Sequence, residues 1–334
     1  MNPYADPIKR HSELLSCLLS FFAIGLILAI MIFLNGCGHV PQAGVQQSFS
    51  TPEAAVDAMI EALEINDVEQ LSIIFGPGSD DLVTSGDPAA DRIRRKRFVQ
   101  FFEEKNRLEK ITEDRVILHI GDEDWPFPIP LIKADEDWQF DTEEGRDEII
   151  ARRIGRNELI TIQVCLAYVD AQREYAMMDH DGDGFLEYAR QFRSDPGKQN
   201  GLYWPETEGN PLSPLGPLLV AAESKGYDLF EKNEEPDPFY GYYYRILDAQ
   251  GKNAGGGAYE YVINGKMIGG FALIAYPADY GASGVMTFMV NHEEVVYQKD
   301  LGEQTEKTVQ EINLFDPDET WSKVDAVATY IWNQ

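Results

Sequence analysis

The chain has 334 residues, 44% of them hydrophobic, with 28 Lys+Arg against 57 Asp+Glu and a net charge of −29. The length exceeds what one core usually serves and predicts two domains, and the apolar content excludes a disordered chain. So negative a field repels nucleic acid and anionic headgroups, which excludes nucleic acid as a partner, and it attracts cations and basic surfaces.

Residues 1–36 read as a signal peptide or membrane anchor. Lys9 and Arg10 precede an apolar run from Leu14 to Leu34 that ends in LNGC, residues 34–37. A leucine, a spacer, a small residue and a cysteine at the edge of such a run is the pattern of a bacterial lipoprotein cleavage site, with Cys37 carrying the lipid. The run is also long enough to span a bilayer uncleaved, so a plain transmembrane anchor remains the alternative. Either reading predicts a membrane-tethered protein of the bacterial cell envelope facing the periplasm. Gly38, where an aspartate would mark inner-membrane retention, points to the outer membrane. Removal of residues 1–36 takes away two acidic and two basic residues, so the acidity belongs to the body. Cys17 lies in the apolar run and Cys165 among helical apolar residues, which leaves no pair for an intramolecular disulfide in the exported part.

Residues 37–49 form a polar tether, and order is expected from residue 50 onward. Thr51 followed by Pro52 predicts a capped helix start, and Val56, Met59, Ile60 and Leu63 continue it at helical spacing. A second helix is predicted over PAADRIRRKRFVQFFEEKNRL, with RRKR at 94–97 on a solvated face. RVILHI, WPFPIPLIK and DWQFDT then predict short strands, the proline-punctuated one at an edge. TPEAAVDAMIEALEINDVEQL with the late DWQFDT resembles the helix-first, conical-sheet order of the NTF2-like superfamily. Residues 50–143 are therefore expected to form one α+β domain.

Residues 144–334 predict a second one. A long helix over about Asp147 to Met178 carries Leu159, Ile162, Cys165, Leu166 and Val169 on its inner face. A short helix over YARQF and Gly- and Pro-rich linkers follow. YGYYYRIL, GAYEYVING, KMIGGFALIAYP, GVMTFMVN and EVVYQKDL then predict one antiparallel sheet packed on the long helix. RNELITIQVCLAYVDAQREYA and this sheet are similar to a type IV pilin-like head, although a whole domain separates the helix from the apolar run. The fold class expected throughout is α+β. TSGDPAADR, EDWPFPIPL, ARRIGRNEL, DGDGFLEYA, GLYWP, GYYYRIL and NGKMIGGFALIAYPADYGASGVMTFMVN together resemble an uncharacterised bacterial family, domain of unknown function 2950. The resemblance implies an exported envelope protein and brings no catalytic residues.

The sharpest chemical signal is DHDGDGFLEYAR, residues 179–190. Asp179, Asp181 and Asp183 fall at loop positions one, three and five, with Gly184 at six, the carbonyl of Phe185 at seven and Glu187 at nine. Alternating carboxylates across a glycine turn suit a hard oxygen-seeking ion, so calcium is the one cofactor the sequence suggests. Position twelve, where a bidentate glutamate belongs, is Arg190, which removes the full helix–loop–helix site. The alternative is an Asx-rich turn ending the long helix. His180, at position two, is expected to point outward as a bystander. No HExxH, CxxC, GxSxG or phosphate loop occurs, and GKM at 265–267 follows ING, a turn signal between strands. Trp125, Trp138, Trp204, Tyr240 and Tyr242–Tyr244 suit either a sheet core or a surface for a glycan or an envelope protein. The functional expectation is a binding or scaffolding lipoprotein, more a non-enzyme than an enzyme. The alternative is a hydrolase-like enzyme using a pocket in the first conical sheet.

Overall fold

The computed structural model describes residues 45–206, 211–224, 227 and 237–324. The basic region, the apolar run and Cys37 lie outside the described residues. No helix among the described residues is long and apolar enough to cross a membrane.

Capping chemistry explains the first helices. Thr51 Oγ1 accepts from the Ala54 amide at 3.1 Å and starts α1 (Pro52–Glu64). Asp67 caps α2 (Val68–Phe75) through the Gln70 amide, and after the single turn α3 (Asp80–Val83), Asp87 caps α4 (Pro88–Glu104) through Ala90. Prolines 52 and 88 occupy first-turn positions where no amide is needed. The helix predicted over PAADRIRRKRFVQFFEEKNRL does not continue to Leu108. Instead Asn106 opens β1 (Asn106–Thr112), because Leu108 pairs across to Leu118 of β2 (Arg115–Ile120). β3 (Trp125–Pro126), β4 (Leu131–Ala134) and β5 (Asp137–Phe140) complete an antiparallel sheet of order β1-β2-β4-β5, with β3 beside β2. One face of the sheet and the helices bury Val56, Met59, Leu71, Ile74, Leu118, Ile120, Phe127 and Phe140 in a first core.

α5 (Thr142–Tyr175) is the spine of the molecule. It begins five residues before the expected Asp147, where Thr142 Oγ1 reaches the Phe75 carbonyl at 2.7 Å. It ends three residues before Met178, because the chain tightens into 3₁₀-type bonds from Met177 to Glu174 and from Met178 to Tyr175. Ile149 packs on the first core, whereas Ile162, Cys165, Tyr168, Val169 and Tyr175 belong to a second. Leu159, expected on the inner face, is 36% exposed, since that face follows the row 161–165–168–172. The expected YARQF helix is absent. Gln172 holds Ala189 extended, accepting from its amide and donating to its carbonyl at 2.8 Å each, while the Tyr188 amide bonds the Met267 carbonyl.

After α6 (Gly216–Ser224), β6 (Tyr242–Leu247), β11 (Ala272–Pro277), β12 (Met286–Asn291), β13 (Tyr297–Asp300) and β14 (Ser322–Lys323) form an antiparallel sheet of order β14-β13-β12-β11-β6. α7 (Thr305–Glu311) packs beside β11, and α5 covers β11 and β12. The expected single sheet is thus divided. β7 (Ala249–Gln250) pairs with β8 (Tyr259–Glu260), and β9 (Val262–Ile263) with β10 (Lys266–Met267), outside the five-stranded sheet. Asn264 and Gly265, both at positive φ, make the tight β9–β10 turn that the Asn-Gly pair predicts. The class is α+β, with helices and antiparallel sheets.

Candidate functional sites

Two polar constellations stand out, one buried and one exposed. The buried one gathers segments far apart in the chain around α5. Arg153, 8% exposed, donates to the carbonyls of Asp81 and Leu82 at 2.5 Å each, and more weakly to those of Thr84 and Ala282 at 3.5 and 3.4 Å. One turn on, Asn157 donates to the Ser283 carbonyl at 2.8 Å, and Glu158 accepts from the Val285 and Met286 amides at 3.0 and 2.9 Å. Burial draws the Arg153 pKa down to about 10, so its guanidinium stays charged at neutral pH.

Asp87 sits in the same region. Besides capping α4 it accepts from the Gly241 amide at 2.8 Å and from the Tyr227 hydroxyl at 3.2 Å. Burial raises its pKa, against the opposing pull of the Ala90 and Gly241 amides. Gly241 has φ +77°, and a Cβ there would lie 2.6 Å from Asn157 Nδ2, so both backbone and space require glycine. RRKR is also partly drawn in. Arg95 is 8% exposed, donating to Asn66 and to the Val83 carbonyl, and Arg94 joins Asp91 and Ser85. The expected solvated face therefore holds only in part, because α4 turns Arg95 toward α3.

The exposed constellation is the aspartate loop. Oxygens of Asp179, Asp181 and Asp183 lie within 4.8 Å of one another. Asp179 accepts from the Gly182 and Gly184 amides at 2.8 Å each, and Asp183 from Phe185 at 3.0 Å. Lys266, at the start of β10, inserts its ammonium among these groups. It contacts Asp183 and stands 3.4 Å from Asp181, 3.6 Å from Glu187 and 5.7 Å from the centre of the Phe185 ring. The Gly184 amide above all holds the Asp179 carboxyl below the usual range, and Lys266 does so for Asp183; Asp183 in turn raises Lys266. Arg190, at position twelve, turns away to Asp248 at 3.4 Å.

Of the five residues expected to ligate a cation, three carboxylates converge. Glu187 faces Lys266, and Phe185 offers its ring to the same ammonium. His180 is no outward bystander. It stacks on Tyr175 with ring centres 4.0 Å apart, lies 5.4 Å from Trp204, and shares a ring nitrogen with the Tyr175 carbonyl at 3.0 Å. The loop is thereby fastened to the helix end. Sequence spacing found the aspartates but not Lys266, which is 83 residues from Asp183. The surviving signal was the Asn-Gly hairpin that carries it.

Trp204 is 4% exposed and Tyr242 fully buried, so these aromatics serve the core. Cys165 is buried too, and its thiol is pushed up to about 12. Beside the first sheet, Arg115, Phe127, Pro128, Glu144 and Arg152 line a cleft of about 160 Å³. An open cleft of about 510 Å³ lies between residues 277–281 and Glu303, Thr305 and Glu306.

These features define an α+β protein with a polar joint on its spine helix and an acidic loop at that helix's exit. The family "Protein of unknown function (DUF2950)" matches residues 46–324, and the chain belongs to it. No curated protein and no solved structure matches the chain.

Proposed function

We propose that this is an exported, membrane-tethered protein of the bacterial envelope that acts as a binding or scaffolding body. The observation that carries the reading is LNGC at residues 34–37, closing the apolar run after Lys9 and Arg10. Cys37 is then the lipidated residue and the protein faces the periplasm, at the outer membrane. The long α5 lying on an antiparallel sheet supports a pilin-like head for the second half, and helices preceding a small sheet support an NTF2-like first half. Body residues 37–334 keep the whole net charge of −29, which favours cationic partners. Within that body the aspartate loop is where calcium would be taken, with Asp179, Asp181 and Asp183 as ligands, helped by the Phe185 carbonyl and Glu187, and with Lys266 as the competitor it must displace.

Metabolic labelling with an alkyne-bearing palmitate analogue tests the anchoring. Label in the wild type that is lost in Cys37→Ala, with the variant also retained as the larger uncleaved precursor, supports the reading. Membrane-bound protein without label contradicts the lipid and returns the uncleaved anchor.

A further inference from the structure

The loop that gathers the aspartates also gathers exposed apolar side chains. Among the described residues, fifteen large hydrophobic side chains are exposed, and six of them lie in 177–186 and 263–268. They are Met177 and Met178 at the exit of α5, Phe185 and Leu186 in the loop, and Ile263 and Ile268 flanking the β9–β10 turn, with exposures from 43% to 74%. The two stretches meet in space, because Lys266 reaches both Asp183 and the Phe185 ring, and Tyr188 bonds the Met267 backbone. Scattered exposed leucines need no explanation, but a concentrated patch ringed by polar groups marks an interaction surface.

Charge selects the occupant. Four carboxylates, Asp179, Asp181, Asp183 and Glu187, gather at the patch and the ammonium of Lys266 pairs with the last three of them, so with Arg190 matched by Asp248 the patch keeps a surplus of three negative charges. Lys266 itself shows how a basic side chain is received there, with its ammonium among carboxylates and close to an aromatic face. The tip is also stiff. His180 is stacked on Tyr175, and the loop amides are bonded to Asp179 and Asp183, so a partner meets a surface with little left to order.

We propose that this end of the molecule docks a partner protein through a segment of lysine or arginine residues interleaved with apolar ones. The apolar residues would cover Met177, Met178, Phe185 and Leu186, and the basic residues would match the surplus carboxylates. The inference rests on the reading of this protein as a binding body and names the kind of partner it takes.

The test uses the full chain in nanodiscs of zwitterionic lipid, in EDTA so that calcium plays no part. The probe is a fluorescein-labelled peptide of alternating leucine and lysine pairs, followed by anisotropy, with oligolysine of equal charge beside it. The variants are Phe185→Ser with Leu186→Ser, and as a control of similar exposure Leu212→Ser with Val220→Ser. All four side chains point to solvent, so the variants keep the fold. The expected result is binding of the leucine–lysine peptide that the loop variant weakens at least about tenfold and the control does not, with oligolysine binding more weakly. Equal binding by the loop variant and the wild type, equal binding of oligolysine, or no binding at all overturns the proposal. So does self-association that the loop variant abolishes, which would name a second copy as the occupant. A failure here leaves the calcium reading standing, because that reading is tested by titration of the ion alone.

Discussion

Arg153 and Lys266 are both cations held in a ring of oxygens, and they do opposite work. Arg153 is buried and finds backbone carbonyls from two segments remote in sequence, residues 81–84 and 282. Its partners cannot leave without unfolding local chain, so the contact is permanent. Lys266 is half-buried beside the exposed aspartates of the loop and finds carboxylates, which water or another cation can also serve. Buried charge with saturated bonds fixes structure, whereas an exposed ion pair contributes little to stability and can be exchanged. One constellation is a joint and the other is a place for exchange.

The strongest way to break the comparison is at the joint. Arg153→Met leaves the carbonyls of Asp81, Leu82 and Ala282 short of a donor and is expected to cost about 3–5 kcal/mol, a fall of roughly 10 °C in melting temperature. Lys266→Met should leave the melting temperature nearly where it was. Equal effects on thermal unfolding would erase the distinction. Asp87→Ala comes next, because the Gly241 amide and the Tyr227 hydroxyl lose a buried acceptor; about 2–3 kcal/mol is expected from denaturant titration, with Asp87→Asn in between. Gly241→Ala combines a left-handed backbone with a clash on Asn157 and should cost about 1–3 kcal/mol by the same measurement.

Acid sharpens the exposed side with a smaller effect. Asp179 and Asp183 have pKa values held below the ordinary 3.8, by the Gly184 amide and by Lys266 respectively. Their contribution is therefore present above about pH 4 and disappears as the pH falls through the lowered values. At the other limit, Lys266 is raised, so its contribution is present through the neutral range and is lost only in strong alkali. Titration of the aspartate side-chain carbons by NMR should place the Asp183 midpoint below that of an exposed aspartate, and Lys266→Met should move it back up. An Asp183 midpoint indifferent to Lys266 would break the pairing.

The sequence disclosed what local chemistry decides. Thr51-Pro52 announced α1, Asn264-Gly265 announced a hairpin, and Asp179 to Gly184 announced a loop of convergent carboxylates. It concealed what depends on distant chain. Arg95 in a run of four basic residues reads as solvated until α3 is packed beside it, and nothing local in ARRIGRNEL marks Arg153 as buried. Leu108 reads as helical until β2 is present to pair with it. Lys266 follows the same logic, since nothing within its own hairpin tells that an aspartate loop 83 residues earlier will surround it. In each case a side chain of fixed type changed role because a partner remote in sequence supplied either oxygens or a ladder.

The most direct test of the exposed site is calcium titration by calorimetry of the full chain in zwitterionic nanodiscs, for the wild type, Lys266→Met and Asp181→Ala with Asp183→Ala. If the loop is a cation site guarded by Lys266, removing the ammonium should tighten calcium binding by about tenfold or more, and removing the two carboxylates should abolish the heat. Lys266→Met that binds no more tightly than the wild type, or heat that survives the loss of both aspartates, would contradict the account.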